Sequence, residues 1–302
     1  MAPDPQSPTE LEAHRAKRHK PSTQDDLSTT KALSTAEILE MILSFTDMRT
    51  LLTSAQRVCH IWKALIANSP SLQKALFFTP LEPSEWDADV EGCMGQLNPL
   101  LSTAFPSLFP PADGDEKRSR WCGLKFTDFS MAQSDSSMAQ FTRPDASWRR
   151  MLVQQPPIPG IGHFNLRHAR GGDSGDIYRI PVDPNLPGLR MERLLDVLLY
   201  TKEVALVQHT SARLIWSQEQ AEFGDYSRKA SKEFERLMKK FGVVLYTEKV
   251  VQCMKGYVGR PTVSSRTRRE IIRAYMEHGI DVDEREKEIT GGRKKIKGFS
   301  QS

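Results

Sequence analysis

Cysteine is scarce in this sequence: Cys59, Cys93, Cys122 and Cys253 are the four among 302 residues. None lies within metal-ligand spacing of another. Neither a disulfide framework nor a thiolate zinc site is therefore encoded, as expected of a chain in a reducing compartment. Hydrophobic residues are also few, at 38%, below the usual share for a compact globular chain. Part of the length is accordingly expected in loops or disorder. No apolar run approaches the roughly 18–20 residues that span a bilayer, so no membrane partner is expected. Residues 1–24 are polar and rich in Pro and Ser, unlike a secretory signal. These absences predict a cytoplasmic or nuclear protein, or one found in both places.

Signatures of chemistry are missing too. There is no phosphate-cradling Gly-rich loop ending in Lys-Ser/Thr, no His-Glu-x-x-His and no Cys-x-x-Cys. Gly172-Asp173-Ser174-Gly175 has the form of a serine-protease nucleophile motif. Its nearest histidines, His163 and His168, sit too close in sequence for the usual order of base, acid and nucleophile, and a flexible Gly-rich loop is the expected reading. Cys59, set among apolar residues in a predicted helix, reads as a small buried group rather than a nucleophile. No enzyme active site, cofactor site or metal site is expected.

Charge is nearly balanced, at +4 overall, but unevenly spread: from Arg260 onward there are 11 Lys and Arg against 7 Asp and Glu. Arg266 to Arg269 and Arg293 to Lys297 could contact phosphates, but acidic Asp281 to Glu288 interrupts them, so nucleic-acid binding is not expected. Residues 1–30 hold too little apolar surface to offset the entropy of ordering and are expected to be a disordered basic arm. The run His14 to Lys20 within it fits either an import signal or a solvated charged arm.

The first organised segment starts at Leu33. Ser34 to Glu37 has capping-box form. Ile38, Leu39, Ile42 and Leu43 then recur at helical spacing, with Met41 and Phe45 widening the stripe. Asp47 is placed to cap a second helix carrying Leu51, Leu52, Ala55 and Val58. Trp62, Leu65 and Ile66 continue after a bend near Cys59-His60, and Pro70 is placed to open a further turn. Three or four short helices within about 45 residues carry more apolar surface than so small a bundle hides. Either a partner or the rest of the chain must cover it.

This segment resembles the F-box. The matching residues are Leu33, Glu37-Ile38-Leu39, Ile42 to Phe45, Leu51-Leu52, Ala55, Arg57-Val58-Cys59, Trp62, Leu65 and Ile66. The family's common Leu-Pro opening is replaced by Leu33-Ser34. Pro70 to Phe78, Asn98 to Leu101, Arg143 to Leu152 and Gln155 to Pro157 resemble the continuation found in F-box proteins of filamentous fungi. The resemblance extends, in patches, to about residue 216. It implies docking on a Skp1-like adaptor and through it on a cullin, with an unknown protein substrate held elsewhere on the chain. The receptor does no bond chemistry; it raises the local concentration of a substrate lysine near a charged conjugating enzyme. The resemblance assigns Leu33, Ile38, Leu39, Ile42, Leu43, Leu51, Leu52, Val58 and Trp62 as adaptor contacts or their support, about half of them touching the partner. The alternative is an F-box interaction or scaffold protein outside any ligase, placed in the nucleus with weak nucleic-acid contact through the basic segments.

Beyond the F-box, assigned to residues 31–78, residues 79–216 form the expected substrate-recognition region. There Trp86, Phe105, Phe109, Trp121, Phe126, Phe129 and Trp148 anchor an irregular fold. Asp113 to Arg118 and Arg167 to Asp176 read as exposed loops. A helix follows Pro187-Gly188, and Val204 to Val207, Leu214 to Trp216 and Val243 to Tyr246 read as short strands. Helices are expected from Tyr226 to Phe241 and from Ser265 to His278, stopped by Gly242 and Gly279. Residues 217–280 form the helical or mixed C-terminal region and 281–302 a charged flexible tail. The fold class expected is mainly α, with a small mixed α/β part. No internal repeat is visible.

Overall fold

The computed structural model describes residues 33, 35–82, 84, 95–110, 123–169, 172–182, 185–204, 210–216, 228–250 and 262–300. The basic arm, Ser34, Trp86, Asp113 to Arg118, Trp121, Ala205 to Val207 and Tyr226 lie outside the described residues. The chain divides into two compact units, one ending at Leu72 and one beginning at Gln73.

The first unit is helical: α1 spans Ala36–Ser44, α2 Met48–Thr53, α3 His60–Asn68, and α4, Pro70–Ala75, crosses the boundary. Thr35, in extended conformation, precedes α1 without a side-chain cap. Asp47 caps α2, its Oδ1 accepting from the Thr50 amide at 3.0 Å. α2 ends earlier than its apolar pattern suggests. Thr53 turns its hydroxyl back onto the Arg49 carbonyl at 2.8 Å, and the chain passes into a 3₁₀ turn at Ala55–Arg57. The expected bend falls at Cys59, fully extended at φ −161° and ψ 172°. That leaves Cys59 exposed, correcting its reading as a buried group. Pro70 opens α4, and the Ser69 hydroxyl accepts from the Leu72 amide at 3.2 Å.

The second unit corrects the fold class. It is mixed α/β, built on a five-stranded sheet whose strands lie in the order Thr210–Ile215, Val244–Val250, Gly160–Ala169, Gly172–Pro181 and Lys294–Ser300. In chain order its elements are β1 (Gln96–Leu97), α5 (Pro99–Ala104), α6 (Asp135–Phe141), α7 (Ser147–Arg150), β2 (Gln154–Gln155), β3 (Gly160–Ala169), β4 (Gly172–Pro181), α8 (Met191–Tyr200), β5 (Thr210–Ile215), α9 (Arg228–Phe241), β6 (Val244–Val250), α10 (Val263–Glu277), α11 (Val282–Gly292) and β7 (Lys294–Ser300). β3 runs antiparallel to β4 and parallel to β6, and β4 pairs antiparallel with β7. Arg167 to Asp176, expected as loop, thus belongs to two long paired strands. Residues 281–302, expected as a flexible tail, contain a helix and a sheet strand. Both segments are rich in Gly and charge, which hid the alternation that marks a strand. β7 is an edge strand with exposed lysines, Lys295 paired to Asp176 and Lys297 to Glu233; charge of this kind is a usual way of blunting an edge.

One face of the sheet is covered by α9. Phe234, Leu237, Met238 and Phe241 pack on Phe164, Leu166, Ile177, Val244, Tyr246 and Phe299. The approach is close at Gly162, where a Cβ would stand 2.6 Å from Leu237 Cγ. Gly242, at φ 68°, ends α9 as expected.

The strands also bury polar groups. Thr247 Oγ1 donates to Asn165 Oδ1 at 3.2 Å and lies 2.8 Å from His163 Nε2. Nε2 therefore carries the imidazole hydrogen, and Nδ1 is left buried without a partner. Burial, seconded by the charge of Arg293, pushes the His163 pKa well below the ordinary histidine value.

Four helices meet at charges. α8 is buried almost all round, including Asp196 at 3% exposure. Arg285 of α11 donates to Asp196 Oδ2 at 2.6 Å and to Glu192 Oε1 at 2.7 Å. Arg149 of α7, also buried, donates to Glu192 at 2.9 Å and lies over the rings of Trp148 and Tyr275, the latter on α10. Burial raises the Asp196 pKa to about 6 even though Arg285 opposes the rise.

Two measurements test these buried groups. Arg285→Met strands Asp196 without its cation and is expected to cost about 3 kcal/mol near neutral pH. The loss shrinks at pH 5, where Asp196 takes up a proton; an equal loss at both pH values in urea denaturation would disprove the assignment. His163 is neutral when folded and titrates near its ordinary value when unfolded, so the unfolded chain binds more protons in mild acid. Stability carried by neutral His163 is present at high pH and lost as pH falls below about 6.5. The stability difference between wild type and His163→Gln should narrow as pH is lowered from 7.5 to 5, measured by urea denaturation.

Candidate functional site

The nine residues of α1 allow it two separate stripes. Leu39 and Leu43, four apart, are buried at 0% and 1% exposure. Ile38, Met41, Ile42 and Phe45 follow the i, i+3, i+4, i+7 spacing of a second stripe, and all four are exposed. Phe45 is 88% exposed, an unusual position for a large aromatic side chain, whose full burial is worth about 2 kcal/mol. α1 contacts α3, which exposes Ile61, preceded in the chain by exposed Val58. A small helical unit thus combines a closed core with apolar side chains open to solvent, the pattern of an interaction surface.

The nine residues carried over from the family resemblance separate into three groups. Leu39, Leu43 and Leu51 are buried among the core residues of the unit, with Ala55, Ile66 and Leu72. Ile38, Ile42 and Val58 are exposed. Leu33, Leu52 and Trp62 are half-buried. Met41, Phe45 and Ile61 complete the exposed set and were not among those nine. Met41 and Phe45 were legible from spacing as a widening of the apolar stripe, but the resemblance did not assign them to the adaptor. Ile61 had no such cue, because the extended residue Cys59 resets the helical phase.

The back of α1 is tied to the start of α4. Glu40 Oε1 accepts from Ser69 Oγ at 2.5 Å and from the hydroxyl of Ser71. These two hydrogen bonds lower the Glu40 pKa, and they hold α1 against the turn at Asn68–Pro70, fixing which stripe faces outward.

Elsewhere the residues once considered for chemistry do not assemble. Ser174 sits within β4, paired with Arg167 and Ser300. His163 is closed off in the sheet, and His168 Nε2 lies 2.8 Å from Glu248 Oε1. Among the described residues no group of His, Cys, Asp and Glu is arranged to hold a metal ion, and no helix is long and apolar enough to cross a membrane.

Ser69 serves both the α4 cap and Glu40. Ser69→Ala is therefore expected to destabilise the helical unit by about 1 kcal/mol, more than Ser71→Ala, which removes contacts to Glu40 and Ser69 but no helix cap. Equal losses in thermal unfolding followed by circular dichroism would disprove the double role.

No family model matches this chain, and neither a curated protein nor a solved structure is similar to it.

Proposed function

We propose that the helical unit is an F-box-type module that docks a Skp1-like adaptor, and that the protein is a substrate receptor of a cullin-based ubiquitin ligase. The observation carrying this reading is the exposed stripe Ile38, Met41, Ile42 and Phe45 on α1, together with Val58 and Ile61. It lies within the segment whose residues resemble the F-box. The receptor acts by proximity: the adaptor links it to the cullin, and a target held on residues 79–302 gains a high effective concentration near the conjugating enzyme. No catalytic group of its own is needed.

The burial pattern selects the test. Leu39 and Leu43 are core, so charged replacements there would disrupt the unit itself. Ile42 and Phe45 are exposed, and Ile42→Asp with Phe45→Asp should leave the fold intact. Placing two carboxylates in an apolar interface costs several kcal/mol, and micromolar binding is only about 8 kcal/mol. The folded double variant is expected to lose adaptor binding by at least about a hundredfold in calorimetry. Unchanged affinity would refute the docking face. Recovery of adaptor without cullin from cells would instead point to an F-box protein working outside a ligase.

A further inference from the structure

The five-stranded sheet ends differently on its two sides. At β5 the outer edge is taken up, since the Leu124 amide donates to the Ala212 carbonyl at 2.6 Å. At the opposite end β7 has one neighbour among the described residues, β4. The ladders show which backbone groups of β7 point away from β4. The Gly162 amide donates to the Val243 carbonyl, so even-numbered residues of β3 bond to β6 and odd-numbered ones to β4. Carried through the registers, this alternation gives Lys297 and Phe299 to β4 and turns the amides and carbonyls of Gly298 and Ser300 outward. Both residues are exposed. Backbone groups so placed are a template for an extended peptide that adds a strand.

Charge narrows the choice of strand. Lys294, Lys295 and Lys297 are exposed on β7, and exposed Arg179 of β4 stands opposite Lys294. The carboxylates bonded to two of these lysines are shared: Asp176 also binds Arg167, and Glu233 also binds Arg236. Two anions thus serve four cations, and Lys294 has no ion pair among the described residues. Facing side chains on neighbouring strands repel when alike in charge and attract when opposite. An identical strand would set lysine against lysine. A strand bearing Asp or Glu meets cations on both faces of the edge, since Lys297 reaches Glu233 of α9 and Lys295 reaches Asp176 on the other face. Ile296, the extra residue where the β4–β7 register shifts, is 51% exposed and offers an apolar contact between them.

We propose that the open edge of β7 binds an acidic, extended peptide segment of another protein by strand addition, its backbone pairing with Gly298 and Ser300 and its carboxylates with the lysines. If the receptor reading holds, such a segment is the recognition element of the substrate; that identification rests on the proposed function, while the binding itself does not.

The test uses the full chain without adaptor and a dye-labelled, end-blocked Gly-Asp-Thr-Glu-Val-Glu-Thr-Gly peptide in fluorescence anisotropy. Saturable binding is expected, at least about tenfold tighter than for the same peptide with Lys in place of its acidic residues. A strand bonds to an edge through alternate residues. N-methylation of one alternate set of peptide amides, either the acidic residues or Thr, Val and Thr, is therefore expected to abolish binding, and methylation of the other set to leave it within about threefold. Lys294 is exposed and without an ion pair, so Lys294→Glu should fold normally and bind at least about threefold more weakly. An equal response to the two methylated peptides would overturn strand addition in favour of charge alone. No saturable binding, equal binding of the Lys peptide, or unchanged affinity in folded Lys294→Glu would overturn the proposal outright. Peptide binding that is lost as the chain self-associates in analytical ultracentrifugation would give the edge to a second copy and overturn it as well. None of these outcomes bears on adaptor docking, which the α1 variants test separately.

Discussion

The second unit depends on a buried exchange of charge centred on Arg285. α11 has almost no apolar face: Ile289 is its one buried residue. Hydrophobic burial alone would not fix so charged a helix against the fold. Its position is set instead by Arg285 on Glu192 and Asp196, helped by Arg193 on Glu288. Beyond α11, Arg293 is held by Glu203 at 2.8 Å and lies 3.6 Å over the Tyr178 ring, delivering the chain to β7. Ion pairs of this kind add little net stability against an apolar replacement, but they penalise any arrangement that leaves one member alone. Here they specify where the last helix and the last strand of the sheet lie.

The two units treat apolar surface in opposite ways. In the sheet-bearing unit α9 is used up: its aromatic and aliphatic side chains are matched to both edges and centre of the sheet. α1 of the helical unit divides its apolar residues into two stripes and buries one. The bonds from Ser69 and Ser71 to Glu40 sit between those outcomes, since they fix the rotation of α1 about its axis.

Periodicity made much of this readable in advance. Helices with a single clear stripe, such as α9, and their stops at Gly242 and Gly279 followed from spacing and from residues that tolerate positive φ. The bend at Cys59 and the opening of α4 at Pro70 were readable for similar local reasons. β3, β4 and β7 were not. Gly162 and Gly175 are there because Leu237 and Phe299 come so close that no Cβ fits, and a single chain does not announce such distant partners. The same limit applies to the sites. Spacing gave α1 one wide apolar stripe, but not which of its residues stay exposed, nor the bonds from Glu40 to serines some thirty positions away. The acidic stretch at Asp281 to Glu288 likewise read as solvated charge until Asp196 and Glu192 appeared opposite it.

The pairing of β4 with β7 joins Ser174 to Ser300, and β3 pairs with β6 across β4, α8, β5 and α9. Such contacts close long loops before they return any free energy, and topologies dominated by them fold slowly. The β3–β4 hairpin and the α9–β6 connection are local and can form early. If they do, the edge at β4 stays unpaired until a strand more than a hundred residues further along the chain arrives. During that interval it is open to pairing with other chains. This gives the lysine-rich composition of β7 a second meaning: a late-arriving strand that carries repelling charges is poorly suited to pair with copies of itself.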